Sequence, residues 1–114
     1  MYKRNRELLV RDIIEAIEKI ESYIKNYSYE EFLDDMKTKD AVVRNLEIIG
    51  ESANLLPDEI RCKYPEIPWG KIIALRNRLI HGYFVVDYRI VWEIVTNELP
   101  KLKLQINKIL EEER

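Results

Sequence analysis

The chain has 114 residues and a formal net charge of −2, with hydrophobic residues at 46% and charged residues at 35%. This composition excludes a disordered tail, and the scarcity of glycine (3 residues) and proline (4 residues) disfavours a turn-rich all-β fold. The length predicts one domain over residues 1–114.

The composition also restricts the chemistry. Cys62 is the only cysteine and His81 the only histidine, so an internal disulfide and a cysteine-based metal site are excluded, and no zinc centre built by one chain is expected. We expect no cofactor. The slightly acidic balance gives no general attraction to nucleic acid or to an anionic membrane, so any phosphate binding requires a local basic cluster. We find no secretory signal and no membrane span, and expect a cytoplasmic protein with no membrane partner.

The first third of the chain reads as two helices. Apolar residues recur with helical spacing over residues 6–26, which predicts an amphipathic helix. Ser28 is followed three residues later by Glu31, and this capping-box pattern predicts a short second helix.

A third helix is predicted from after Thr38 to about Leu56. Its main apolar stripe is joined by Ile48 and Leu55 on nearly the opposite side. A helix that is apolar on two sides is either central in a bundle or contacts another chain, and we favour contact with a second copy of this chain.

Prolines mark the next elements. Pro57 suits the first turn of a short helix through Arg61. An extended link follows, after which Pro68 opens a helix that runs through Ile80 and stops at Gly82.

The last helical segment is predicted to start at Asp87 as its N-cap. Pro100 interrupts this segment, so a kink or a restart near Asn97 is expected, with Asn97 as a second cap. The run at 83–86 could be extended, but one such run makes no sheet. The sequence therefore predicts an all-α bundle of four to five helices.

The segment 76–83 contains the candidate functional residues. On a helical wheel, Arg76 falls in the middle of an apolar arc formed by Ile72, Ile73, Leu79 and Ile80. Arginine is rarely buried unless it is paired, because an uncompensated interior charge is costly. Arg76 therefore either pairs with an acid inside the fold, for which Glu51 is the candidate, or lines a cleft that binds an anion.

Asn77 and His81 lie four residues apart on the adjacent face of the same helix, so both can contact one ligand. A guanidinium binds phosphate oxygens with two parallel hydrogen bonds, and an imidazole can move a proton near neutral pH. Two simpler interpretations remain: His81 only caps the helix, and Arg76 only forms a buried ion pair.

At these residues the sequence resembles the HepT-like toxins of the HEPN superfamily. Arg76, His81 and Tyr83 match the R-x4-H-x-Y signature of that family, and the flanking segments 48–51, 65–69 and 87–92 fit as well. The resemblance implies a helical bundle that forms a homodimer, with the two Arg–His motifs facing a shared cleft.

The resemblance also implies a function. Members of the superfamily commonly act as metal-independent ribonucleases, so Arg76 and His81 would be catalytic, with Asn77 and Glu51 in support. HepT-like toxins are typically neutralised by an MntA-type nucleotidyltransferase antitoxin, which would transfer AMP to Tyr83.

Two other functions fit the same residues. The first is a non-catalytic module that binds a nucleotide or docks a nucleotidyltransferase, which the acidic balance favours. The second is a purely structural helical dimer.

Overall fold

A computed structural model describes residues 5–81 and 86–113 of the chain. Within these ranges the fold contains only helices, which confirms the predicted all-α class. They are α1 (Arg6–Ile24), α2 (Tyr29–Asp34), α3 (Met36–Leu55), α4 (Asp58–Lys63), α5 (Trp69–His81), α6 (Tyr88–Glu93), a π-helical segment (Ile94–Glu98) and α7 (Leu99–Glu112). The last three follow one another without a break, so the bundle is built from four long helical runs and two short helices.

The first two helices form close to where they were predicted, and residues next to each helix in sequence set its ends. α1 ends two residues earlier than predicted, and Asn26 then takes a left-handed conformation with φ 65°, which asparagine tolerates better than most residues. The capping box of α2 is complete. The Glu31 N–H donates to Ser28 Oγ at 3.1 Å, and the Ser28 N–H donates to Glu31 Oε1 at 2.8 Å.

Helix α3 starts at Met36, two residues before Thr38, because Asp35 rather than Thr38 is its cap. Asp35 Oδ1 accepts from the Thr38 N–H at 3.0 Å, and Oδ2 accepts from Tyr27 Oη at 2.6 Å and from Thr38 Oγ1 at 2.7 Å. These donors favour the ionised carboxylate. They lower the pKa of Asp35 to about 2, the Tyr27 hydroxyl being the largest cause.

The core explains why α3 is apolar on two sides. α3 lies between α1 and α5, and α7 packs against α1. Ile48 is half-buried against the core, whereas the side chain of Leu55 is 60% exposed. A central position thus accounts for Ile48 within the chain itself. The largest fully buried side chains are Phe32, Ile13, Ile17, Ile20, Leu56, Ile60, Ile67, Ile106 and Ile109.

The prediction that Asn97 caps a restarted helix is wrong. Asp87 does cap the start of α6, accepting from the N–H groups of Arg89 and Ile90. Near Pro100 the chain continues through the π-helical segment and enters α7 without a side-chain cap. A proline lacks the N–H that would bond to the carbonyl four residues earlier, and its ring crowds that carbonyl. The wider π-helical turn accommodates both effects without a break in the helix.

A polar cluster at one end of the bundle fixes the start of α5. The buried Tyr64 donates to Glu112 and Glu113, both at 2.9 Å, while Lys63 pairs with Glu113 at 2.6 Å. Burial and these carboxylates raise the pKa of Tyr64. The indole N–H of Trp69, the first residue of α5, donates to the carbonyl of Tyr64 at 3.0 Å.

Among the described residues, no helix is both long and apolar enough to cross a lipid bilayer.

Candidate functional site

Helix α5 carries the candidate residues Arg76, Asn77 and His81, and it contains no acidic side chain. Its thirteen residues include three basic side chains, Lys71, Arg76 and Arg78, and end on the only histidine of the chain. Lys71 and Arg78 are exposed. In a chain that is acidic as a whole, this helix supplies the local positive charge that a phosphate site requires.

Arg76 packs directly against α3, at Gly50. A Cβ atom built on Gly50 would overlap the Cβ of Arg76, and would lie 2.9 Å from its Cγ and 3.0 Å from the carbonyl oxygen of Ile72. Gly50 does not have a positive φ, so its backbone conformation needs no glycine. The missing side chain instead provides the space in which the stem of Arg76 lies.

The polar end of Arg76 is only partly satisfied. Its Nη1 donates to Oδ1 of Asn77 at 2.8 Å, whereas its Nε is buried without a hydrogen-bond partner. No carboxylate within the described ranges forms an ion pair with it. A buried donor without a partner is uncommon in folded proteins. The internal ion pair, which is one of the two sequence interpretations of Arg76, is therefore absent among the described residues.

The predicted pairing of Glu51 with Arg76 is not present. Glu51 is exposed and follows Gly50 in α3. Successive helical residues point about 100° apart, so the contact of Gly50 with α5 turns Glu51 toward solvent. In the described part of the chain, neither an ion pair nor a hydrogen bond joins Glu51 to the guanidinium.

Asn77 and His81 are both exposed on α5, and Asn77 is hydrogen-bonded to Arg76. Asn77 holds the guanidinium through its carbonyl oxygen, which leaves the amide N–H groups of its side chain free to donate to a ligand. His81 is the last residue of the helix and is exposed. The predicted helix stop at Gly82 and the motif tyrosine, Tyr83, lie outside the described residues.

An apolar groove lies on the other flank of α5. It has a volume of about 390 Å³ and is bounded by α3, α5, the π-helical segment and α7. Leu75 lines the groove and Asn77 does not; two residues along a helix correspond to about 200° of rotation. The groove and Asn77 thus lie on opposite sides of the helix.

Sequence reasoning identified the polar residues of this site but not the role of Gly50. A signal was available, because a glycine inside a long helix costs about 1 kcal/mol relative to alanine and so suggests a packing reason. What the sequence could not show is which residue of which helix fills that space.

Comparison with known proteins gives one consistent result. Residues 13–109 match the family model described as Ribonuclease HepT-like. The chain is 43% identical over 107 residues to the protein named Probable ribonuclease HepT of Thermococcus cleftensis, covering 94% of this chain and 97% of that protein. It is also 43% identical over 112 residues to a protein of Methanocaldococcus jannaschii that is named as a candidate RNase, covering 98% of this chain and 93% of that protein. No solved structure matches the chain.

Proposed function

Because this chain belongs to the HepT-like ribonuclease family, we propose that it is a toxin of the HepT type that cleaves RNA with Arg76 and His81. The predicted family resemblance and the predicted enzyme class are confirmed by the match over residues 13–109. The roles of Arg76 and His81 are what we propose.

The observation that carries the proposal is the incomplete hydrogen bonding of Arg76. Its guanidinium is held by Asn77 and has no acid partner among the described residues, while its Nε is buried and unbonded. The charge of this guanidinium is therefore not balanced by a carboxylate of the described residues, and its Nη groups are the ones that an RNA phosphate can approach. A phosphodiester supplies two oxygens that match the two parallel N–H groups of a guanidinium.

The reaction is attack of a ribose 2′-OH on the adjacent phosphorus. A bond forms between the 2′ oxygen and phosphorus, and the bond from phosphorus to the 5′ oxygen breaks. The products are a 2′,3′-cyclic phosphate and a 5′-hydroxyl. His81 accepts the proton of the 2′-OH, and Arg76 stabilises the charge that develops on the phosphoryl oxygens.

The single histidine favours a homodimer. The reaction needs one group to accept a proton from the 2′-OH and one to return a proton to the 5′ oxygen, and each chain has one imidazole. Two copies that share a cleft provide both. The exposed side chain of Leu55 and the half-buried isoleucines of α5 offer apolar surface for such a contact.

Neutralisation is proposed to occur on Tyr83, by a partner MntA-type nucleotidyltransferase. The phenol oxygen attacks the α-phosphorus of ATP, pyrophosphate leaves, and the phenol proton passes to solvent. The attached AMP adds a negative charge two residues from His81 and repels the RNA backbone. Incubation with the transferase and ATP is expected to add one AMP to the wild-type mass and none to Tyr83→Phe; a modified Tyr83→Phe would assign the acceptor to another residue.

A cleavage assay tests the catalytic proposal. The purified protein is incubated with a fluorescent random-sequence RNA of 20 nucleotides and with its all-deoxy counterpart, with and without EDTA. The RNA is expected to be cut in both conditions and the DNA to stay intact, because DNA lacks the 2′-OH. Arg76→Ala and His81→Ala are each expected to lower the rate by about 10²–10⁴-fold.

Arg78→Ala is the matched control, since it removes the same charge from the exposed side of the same helix. It is expected to weaken RNA binding without abolishing cleavage. Folding and dimer formation are checked by circular dichroism and sedimentation velocity. RNA binding without cleavage would favour the non-catalytic module, and full activity in both Arg76→Ala and His81→Ala would reject the assigned roles.

A further inference from the structure

We propose that Gly50 is a positioning residue, which sets the location of the Arg76 guanidinium by bringing α5 against α3. This inference rests on the proposed function, because it acts through a residue assigned to catalysis. Gly50 itself touches neither the substrate nor the reacting atoms.

The packing supports a specific role. The Cβ of Arg76 is attached rigidly to the backbone of α5, so rotation of its side chain cannot move it away from an added Cβ on Gly50. The second obstacle, the carbonyl of Ile72, is also backbone. An alanine at position 50 therefore forces α5 as a whole away from α3, by more than about 1 Å if ordinary contact distances of 3.5–4.0 Å are to be restored.

A displacement of α5 affects the proposed catalytic residues because both lie on this helix. Arg76 and His81 both lie on α5, so a shift of α5 displaces both of them relative to the matching residues of the partner copy in the proposed shared cleft. The Nε of Arg76, now buried, also becomes accessible as the helices separate. A misplacement of about 1 Å in a catalytic group can lower the rate by about 10²-fold.

Gly70 provides a matched control. It lies on α5 itself, one residue after the start of the helix, and an added Cβ there meets nothing within 4 Å. Gly50→Ala and Gly70→Ala are thus the same chemical change, made once where a neighbour is in contact and once in open space.

The first test compares these variants in the RNA cleavage assay, well below their melting temperatures. Gly50→Ala is expected to lower kcat by about 10²-fold while the folded fraction stays complete, and Gly70→Ala is expected to keep the wild-type kcat. Equal kcat values for Gly50→Ala and wild type would overturn the positioning role.

The second test does not depend on catalysis. The buried Nε–H of Arg76 is expected to give a slowly exchanging side-chain resonance in a ¹H–¹⁵N spectrum, assigned by its absence in Arg76→Lys. It should persist in Gly70→Ala and disappear or exchange rapidly in Gly50→Ala. An unchanged resonance in Gly50→Ala would contradict the proposal, whereas absence of RNA cleavage by the wild type would reject the proposed function and leave this result valid.

A third measurement covers the case in which Gly50→Ala folds poorly. In an Arg76→Gly background the Cβ and Cγ that obstruct an alanine at position 50 are gone. Gly50→Ala is expected to lower the melting temperature of the wild type but to have a smaller effect in Arg76→Gly. The same loss in both backgrounds would show that the glycine does not serve the contact with Arg76.

Discussion

Gly50 of α3 lies directly against Arg76 of α5, close enough that a methyl group on Gly50 would overlap the first carbon of the arginine side chain. The contact joins the centre of the bundle to the candidate catalytic cation. The packing of α3 against α5 and the position of the Arg76 stem therefore depend on the same pair of residues.

Gly50→Ala is expected to destabilise the fold. Overpacking a tight contact costs about 1–3 kcal/mol, which exceeds the gain of up to about 1 kcal/mol from replacing a helical glycine by alanine. Gly70→Ala causes no overpacking and gains only helix propensity, so it should be neutral or slightly stabilising. Urea unfolding followed by circular dichroism measures both, and a Gly50→Ala protein as stable as Gly70→Ala would contradict the packing argument.

Arg76→Met is expected to retain or increase stability while abolishing RNA cleavage. Methionine fills the space of the arginine stem, and it removes a buried N–H that has no partner, a group that costs about 1–3 kcal/mol when left unsatisfied. Thermal melting and the cleavage assay are the two measurements. A large loss of stability would indicate that the guanidinium serves mainly to hold the fold.

Asp35→Asn is expected to make the stability of the fold less dependent on pH under acidic conditions. The folded-state pKa of Asp35 is about 2 and lies below the value near 3.9 of an unfolded chain. The folded protein therefore binds this proton less readily, so the stabilisation is complete above about pH 4 and is lost as the pH falls toward 2. Asparagine can still cap α3 but does not titrate.

Melting temperatures between pH 6 and pH 2 test this prediction. The wild type should lose stability more steeply than Asp35→Asn below about pH 4. Parallel curves for the two proteins would show that Asp35 does not contribute to the pH dependence.

Asp87 and Asn97 were both predicted to cap helices in the last helical run, and their substitutions are expected to differ in their effect on stability. Asp87→Ala removes a side chain that accepts two backbone N–H bonds at the start of α6, and should cost about 1 kcal/mol. Asn97→Ala lies inside the π-helical segment and caps nothing, so its effect should stay within about 0.5 kcal/mol. Denaturant unfolding of both variants makes the comparison, and a larger loss for Asn97→Ala would restore the predicted restart at that residue.

Local signals were sufficient for most helix boundaries. The capping box at Ser28 and the cap at Asp87 form as predicted, because each depends on hydrogen bonds between residues two or three apart. The start of α3 was predicted too late because Asp35 and Thr38 are both good caps. Asp35 is additionally held by the hydroxyl of Tyr27, which lies in the turn between α1 and α2.

The sequence by itself determined the helical class, the basic character of α5 and the motif residues of the family, since all of these follow from residue types and short-range spacing. Only the tertiary structure decided whether Arg76 forms an ion pair with an acid inside the fold. That outcome depends on the relative placement of α3 and α5, where Gly50 admits the arginine stem and directs Glu51 to solvent. Contacts between residues far apart in the chain carry no local periodicity, and so they had to be observed rather than predicted.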